Sequence, residues 1–228
     1  ALEGGALADQ ESAFADYDVL DASAVTSADI IGGVDTAGNK SGLETLNQVF
    51  PLTRLVPGIV MAPGWSQDPA VEAIMKAKAG NINEHFTAIT LVDIPSDSKG
   101  VTKYSDVPNW KNDHNYTGVN EVACWPMVQQ GGKLYHMSTQ LLGVISTVDS
   151  SDEDGVPYQS PSNKSMQMEG LCLADGTEVV MEPEQANYLN GQGIVTALNF
   201  IGGWKAWGNN TACYPADTDA KDRFIPLR

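Results

Sequence analysis

Residues 59–95 read IVMAPGWSQDPAVEAIMKAKAGNINEHFTAITLVDIP, and their order decides the fold class. The apolar run Ile59-Val60-Met61-Ala62 suits a short buried strand, and Pro63-Gly64 closes it. A helix is predicted from about Gln67 to Ala79, because Val71, Ile74-Met75 and Lys78-Ala79 recur at helical spacing. Ser66 and Asp68 are both suitable caps. With Asp68 as the cap, Pro69 falls at the first helical position, where its missing N–H is harmless. Gly80 is predicted to stop the helix in the left-handed conformation. Residues 86–94 are mostly apolar and rich in β-branched side chains, as a strand buried on both faces requires, and Pro95-Ser96 ends them. Strand, helix and strand in this order form a βαβ unit, and a right-handed crossover makes the strands parallel.

Working outward toward the start, residues 17–25 read as a short strand and residues 29–33 lead into turns ending at Lys40. Ser41 and Glu44 have capping-box spacing, so a helix is predicted from Ser41, with Leu43, Leu46 and Val49-Phe50 as its apolar stripe and Pro51 as its block. Toward the other end, residues 96–120 are polar and turn-rich, with a helix left open. Residues 121–128 read as one strand with Pro126 near its end, and residues 137–147 fit either period. Residues 149–165 read as an exposed loop carrying Asp152, Glu153 and Asp154. Two short strands are expected about Asp175-Gly176. Pro183 opens a helix that Asn190-Gly191 stops, and residues 194–201 form a strand that Gly202-Gly203 turns, with residues 204–211 pairing with it or continuing it. The class is α/β, with α+β the alternative: a mixed sheet with flanking helices, at least one βαβ unit and small β-rich excursions.

Composition narrows the function. The 228 residues carry 13 basic and 29 acidic side chains, a net charge of −16. Such a chain repels a polyanion, which argues against direct nucleic-acid binding. It also opposes packing of identical copies, so self-assembly must rest on local complementarity, added ions or apolar contact. No apolar run approaches the length of a membrane span, so no membrane insertion is expected. The first residues do not read as a signal peptide, and the missing initiator methionine fits a piece of a longer chain.

Chemistry-bearing residues are scattered. Cys124, Cys172 and Cys213 form no CxxC pair or zinc signature. His85, His114 and His136 lack metal-ligand spacing, and Asp113 beside His114 is adjacency rather than a dyad. Ser150 to Pro161 resembles half of a calcium loop but has Pro161 where the closing glutamate should stand. Catalytic, cofactor-binding and metal-ligating residues are each assigned as none, and the chain is not read as an enzyme. Two other functions stay open. Trp204 and Trp207 could form a carbohydrate- or surface-binding platform, and a hydrolase could combine carboxylates or a cysteine with a histidine.

Several segments in order resemble the tail sheath proteins of contractile bacteriophages and related injection devices. They are IVMAPGWSQDPAV at 59–71, FTAITLVDIP at 86–95, the loop 143–163 with Ser160-Pro161-Ser162-Asn163-Lys164, LNGQGIV at 189–195, and Trp207-Gly208-Asn209-Asn210-Thr211. Asn210 stands where the family usually has arginine, which leaves open the ion pair or backbone clasp made there. The resemblance implies a central sheath domain at 25–215, an N-terminal extension at 1–24, and a C-terminal linker at 216–228 toward a further domain. It implies copies stacked in hexameric rings or a six-start helix around a tail tube, with baseplate and tail terminator proteins as partners. The implied location is the virion tail, assembled in the bacterial host cytoplasm.

Overall fold

A computed structural model describes residues 18, 19, 21–151 and 159–217. In chain order the elements are α1 (Ser27–Ile31), β1 (Gly33–Val34), β2 (Lys40–Ser41), α2 (Leu46–Thr53), β3 (Ile59–Met61), α3 (Pro69–Ala79), β4 (Ile89–Asp93) and α4 (Val107–Asp113). They continue with β5 (Glu121–Cys124), β6 (Met127–Gln130), β7 (Lys133–Tyr135), α5 (Met137–Ser150), β8 (Gly170–Cys172), α6 (Pro183–Asn190), β9 (Ile194–Phe200) and β10 (Gly203–Trp207). The main sheet has the order β10-β9-β5-β4-β3. Strands β3, β4, β5 and β9 run parallel, and β10 returns antiparallel along β9. A three-stranded antiparallel sheet, β7-β6-β8, forms the β-rich excursion. The α/β class and mixed sheet read from the sequence are those observed.

The deciding segment folds as its pattern dictates. Asp68 caps α3 by accepting the Ala70 N–H at 2.9 Å, with Pro69 at the first helical position. Ser66 has other work: its hydroxyl accepts the Asp93 N–H at 3.1 Å, and its carbonyl accepts the Tyr116 hydroxyl at 2.9 Å. Val71, Met75 and Ala79, four apart, form the buried stripe of α3. Burying side chains the size of Val71 and Met75 contributes about 1.5–3 kcal/mol each. Every residue of β4 and β5 is buried, as central parallel strands require. Gly80 ends α3 at φ −71°, not in the left-handed region. Its N–H still reaches the Lys76 carbonyl, so the stop needs no positive φ.

Other expectations change in physical terms. The described part of residues 17–25 holds a short 3-10 turn at Ala22–Ala24 rather than a strand, and Tyr17 lies outside the described residues. Ser41 forms no capping box; its hydroxyl accepts the Gly33 N–H at 3.2 Å across the β1–β2 hairpin, while Glu44 pairs with Lys78. Pro51 sits inside α2 rather than ending it. A proline there donates nothing to the carbonyl four residues back. That carbonyl, on Asn47, accepts the Asn83 side-chain amide at 2.8 Å instead. The strand expected over 121–128 is two strands in two sheets, because Pro126 has no N–H for the ladder and the chain turns there. Residues 137–147 are the start of α5.

Residues 149–165 are not simply an exposed loop. Asp152, Glu153 and Asp154 lie outside the described residues, but the end of the segment docks on the outer margin of β10. Asn163 N–H donates to the Ala206 carbonyl at 2.7 Å, Ala206 N–H to Lys164 at 3.0 Å, and Met166 N–H to Trp204 at 3.0 Å. A margin of this kind otherwise presents unpaired backbone groups, and residues 163–166 cover them.

Candidate functional site

Three polar junctions organise the described residues, and none was legible as such in the sequence. The first gathers the segments 160–164, 189–195 and 207–211. At the C-terminal end of α6, the Asn210 side chain donates to the Asn190 carbonyl at 3.1 Å. Asn209 N–H donates to Asn190 Oδ1 at 3.1 Å, and Gly208 N–H donates to Ser162 Oγ at 3.3 Å. Asn210 therefore forms a backbone clasp at the helix end without a charge. Gly193 makes the close approach feasible. It sits at φ +72°, and a Cβ there would lie 2.5 Å from the Thr211 carbonyl oxygen.

The second junction stands at the C-terminal end of β4. Asp93 is 3% exposed, and its carboxyl accepts the Ser138 N–H at 2.9 Å and the Ser138 hydroxyl at 2.5 Å. Ser138 lies in the first turn of α5, whose cap residue, His136, supplies no side-chain bond. Asp93 thus does the capping from a neighbouring strand. Burial raises its pKa above the usual carboxylate range, while His136 and the Ser138 bonds oppose that shift. His136 Nδ1 is 3.9 Å from Asp93 Oδ2, and a Cβ on Gly64 would come within 3.3 Å of His136 Nε2. Ser138 is fully buried, and its hydroxyl donates to the aspartate rather than to a histidine base. The three side chains therefore fasten a helix to a strand and do not compose a nucleophilic triad.

The third junction is at the opposite end of the sheet. Glu121, first residue of β5, and Glu72, on the inner face of α3, are buried at 0% and 1% exposure. Their carboxyls face one another. Burial, more than the neighbouring Glu72, pushes the Glu121 pKa up to about 8. Lys76 Nζ lies 2.7 Å from Glu72 Oε1 and 3.6 Å from Glu121 Oε2. Lys111, also buried, spends its ammonium on the Ala212 carbonyl, and burial lowers its pKa to about 8. A pair sealed this far from solvent offers no approach for a substrate.

The residues singled out from sequence do not converge. His85 is exposed. His114 stacks on Trp110 with ring centroids 4.1 Å apart and holds its Nδ1 against the Trp110 carbonyl. All three cysteines are buried, and among the described residues no hydrogen bond joins one to a histidine. Trp204 and Trp207 are three apart on β10, so strand alternation sends their rings to opposite faces. Both pack partly against the core, and Trp207 Nε1 donates to Asn187 on α6. The two half-buried indoles therefore do not form one shared platform. No group of described histidine, cysteine or acidic residues is arranged to hold a metal ion.

What the described residues define is a scaffold: a mixed α/β body whose buried polar groups fasten helices to strands. Comparison with known proteins shows what that scaffold is similar to. No family model matches the chain. A tail sheath protein of Burkholderia phage BcepMu is 27% identical over 222 residues, covering 92% of this chain and 45% of that protein. A putative prophage major tail sheath protein of Pseudomonas aeruginosa is 28% identical over 204 residues, covering 86% and 48%. Among solved structures, a contracted sheath complex of the PVC extracellular contractile injection system aligns with TM-score 0.55, 16% identity and 82% of this chain, 48% of that chain. The contracted helical sheath of the anti-feeding prophage aligns with TM-score 0.52, 19% identity and 82% of this chain, 46% of that chain. The chain is similar in sequence to these tail sheath proteins, and it shares its fold with the solved contractile sheaths. It spans about half the length of the curated relatives it matches.

Proposed function

We propose that this chain is the central part of a structural subunit of a contractile tail sheath, which polymerises around an inner tube and contracts to drive it through a target envelope. The observation that carries the reading is sequence similarity to a phage tail sheath protein along 92% of the chain. The role is mechanical rather than enzymatic. Residues 25–215 form the sheath body, 1–24 an extension and 216–228 a linker to further sequence. Copies stack as hexameric rings or a six-start helix, in contact with the tail tube, baseplate and tail terminator. Assembly takes place in the bacterial host cytoplasm and the product resides in the virion tail.

Contraction of this kind needs two packings of one body rather than bond chemistry. The buried fastenings support a body that moves as a unit: α3 meets β5 through Glu72 and Glu121 and α1 through Asp68 and Ser27, and α5 is held to β4 by Asp93. A net charge of −16 makes self-association salt-dependent, with association strengthening as salt screens the repulsion. The test is negative-stain electron microscopy of the full-length gene product across a salt series, alone and with its tube protein. Hollow six-fold cylinders are expected. A product that stays monomeric under all of these conditions overturns the reading.

A further inference from the structure

We propose that the fold carries a proton-dependent latch at the N-terminal end of its sheet: one proton shared between Glu72 and Glu121 holds α3 against β5. Glu121 Oε2 accepts the Gly118 N–H at 2.8 Å and stands 3.6 Å from Lys76. Glu121 Oε1 is buried and, among the described residues, meets no N–H or O–H donor. The group within hydrogen-bond reach of this carboxyl is the Glu72 carboxyl. Two carboxylates in that position repel, whereas a carboxylic acid donating to a carboxylate attracts. One proton turns an orphaned oxygen and a like-charge contact into a hydrogen bond.

The surrounding groups do not supply an alternative donor. Lys76 is one-third exposed and is placed closer to Glu72 than to Glu121. Lys111 acts on Glu121 only through its field, because its ammonium is held by the Ala212 carbonyl. Tyr116 senses both glutamates, and Asp68 and Asp93 beyond them, but its hydroxyl donates to Ser66. Cys213 faces Lys111 rather than the carboxyls. Gly118 closes the lid: a Cβ there would lie 2.8 Å from Lys76 Cδ and 3.1 Å from Glu121 Oε2. Water is thereby kept from the pair, and desolvation favours its protonated form.

The sign follows from linkage. A carboxyl that keeps its proton in the folded chain and loses it near the ordinary value when unfolded stabilises most at acid pH. The contribution falls as pH rises toward about 8, where Glu121 ionises. Lys111 works the other way above about pH 8, because its folded pKa is depressed. The two effects together predict weakest support from this junction near pH 8.

The test is a thermal melt at intervals from about pH 5 to about pH 9 on the chain and on Glu121→Gln, with carbon-13 NMR titration of the glutamate carboxyls in the unaltered chain. Expected is a Tm that falls by about 5–10 °C toward pH 8 and a clearly flatter profile for Glu121→Gln, whose amide donates without a titratable proton. In the titration one carboxyl of the pair stays protonated beyond pH 6. Parallel profiles overturn the latch, as does titration of both carboxyls near the ordinary glutamate value. The NMR arm decides the matter if Glu121→Gln does not fold. Neither arm depends on whether the protein builds a sheath.

Discussion

Replacing Asp93 separates a capping role from simple burial. In Asp93→Ala the Ser138 N–H and hydroxyl, both bonded to the carboxyl, lose their acceptor inside the protein. Ser138 is fully buried, so water does not replace the lost partner. Leaving one such group unsatisfied costs about 1–3 kcal/mol. Removing the aspartate also removes its own burial cost, whose trace is the raised pKa. The net loss expected is about 2–4 kcal/mol. Asp93→Asn keeps one carbonyl oxygen for the Ser138 N–H, and its amide can donate to the hydroxyl, so about 1 kcal/mol or less is expected. Urea denaturation should show Asp93→Ala unfolding at a midpoint lower by about 1 M, with an unchanged slope. Hydrogen exchange should show protection lost first in the opening turn of α5, at residues 137–141. Because burial raises the Asp93 pKa in the folded chain, its favourable contribution is fullest at acid pH and shrinks as pH rises through that value. The gap between the unaltered chain and Asp93→Ala should therefore narrow from about pH 4 to about pH 8. Equal losses for alanine and asparagine would refute the capping argument, as would an alanine variant losing less than about 1 kcal/mol.

Two further outcomes probe the junction of α6 with β9 and β10. Gly193→Ala places a methyl 2.5 Å from the Thr211 carbonyl oxygen at φ +72°, so a loss of about 2–4 kcal/mol is expected in thermal or urea unfolding. Asn210→Ala should lose about 1 kcal/mol through the freed Asn190 carbonyl, whereas Asn210→Arg, which restores a donor, should stay within about 0.5 kcal/mol of the unaltered chain.

The βαβ unit was legible because three signals agree between residues 59 and 95: two apolar runs, a helical stripe and a proline just after a capping aspartate. The β9–β10 hairpin was legible through Gly202-Gly203 between two strand patterns. Local signals misled where a distant partner took over. Ser41 and Glu44 have capping-box spacing, yet each is claimed by a residue outside the helix, Gly33 and Lys78. Pro51 is tolerated because Asn83, far along the chain, satisfies the carbonyl it abandons. The polar junctions escaped notice for the same reason. Asp93 lies near the end of a predicted strand and Glu72 within a predicted helix, and only the tertiary fold puts Ser138 and Glu121 beside them. The segments resembling sheath proteins fared better, since 160–164, 189–195 and 207–211 are the pieces that meet around Asn190.

The strip at 163–166 has a consequence for how this body joins others. Anything extending the main sheet past β10 must first evict that strip and give up its three backbone bonds, together with the Ser162 contact to Gly208. Extension on that flank is an exchange of like for like, close to neutral in free energy and slow to begin. At the far flank, among the described residues, β3 pairs with β4 and with no other strand. The two flanks thus differ in what a joining strand has to displace.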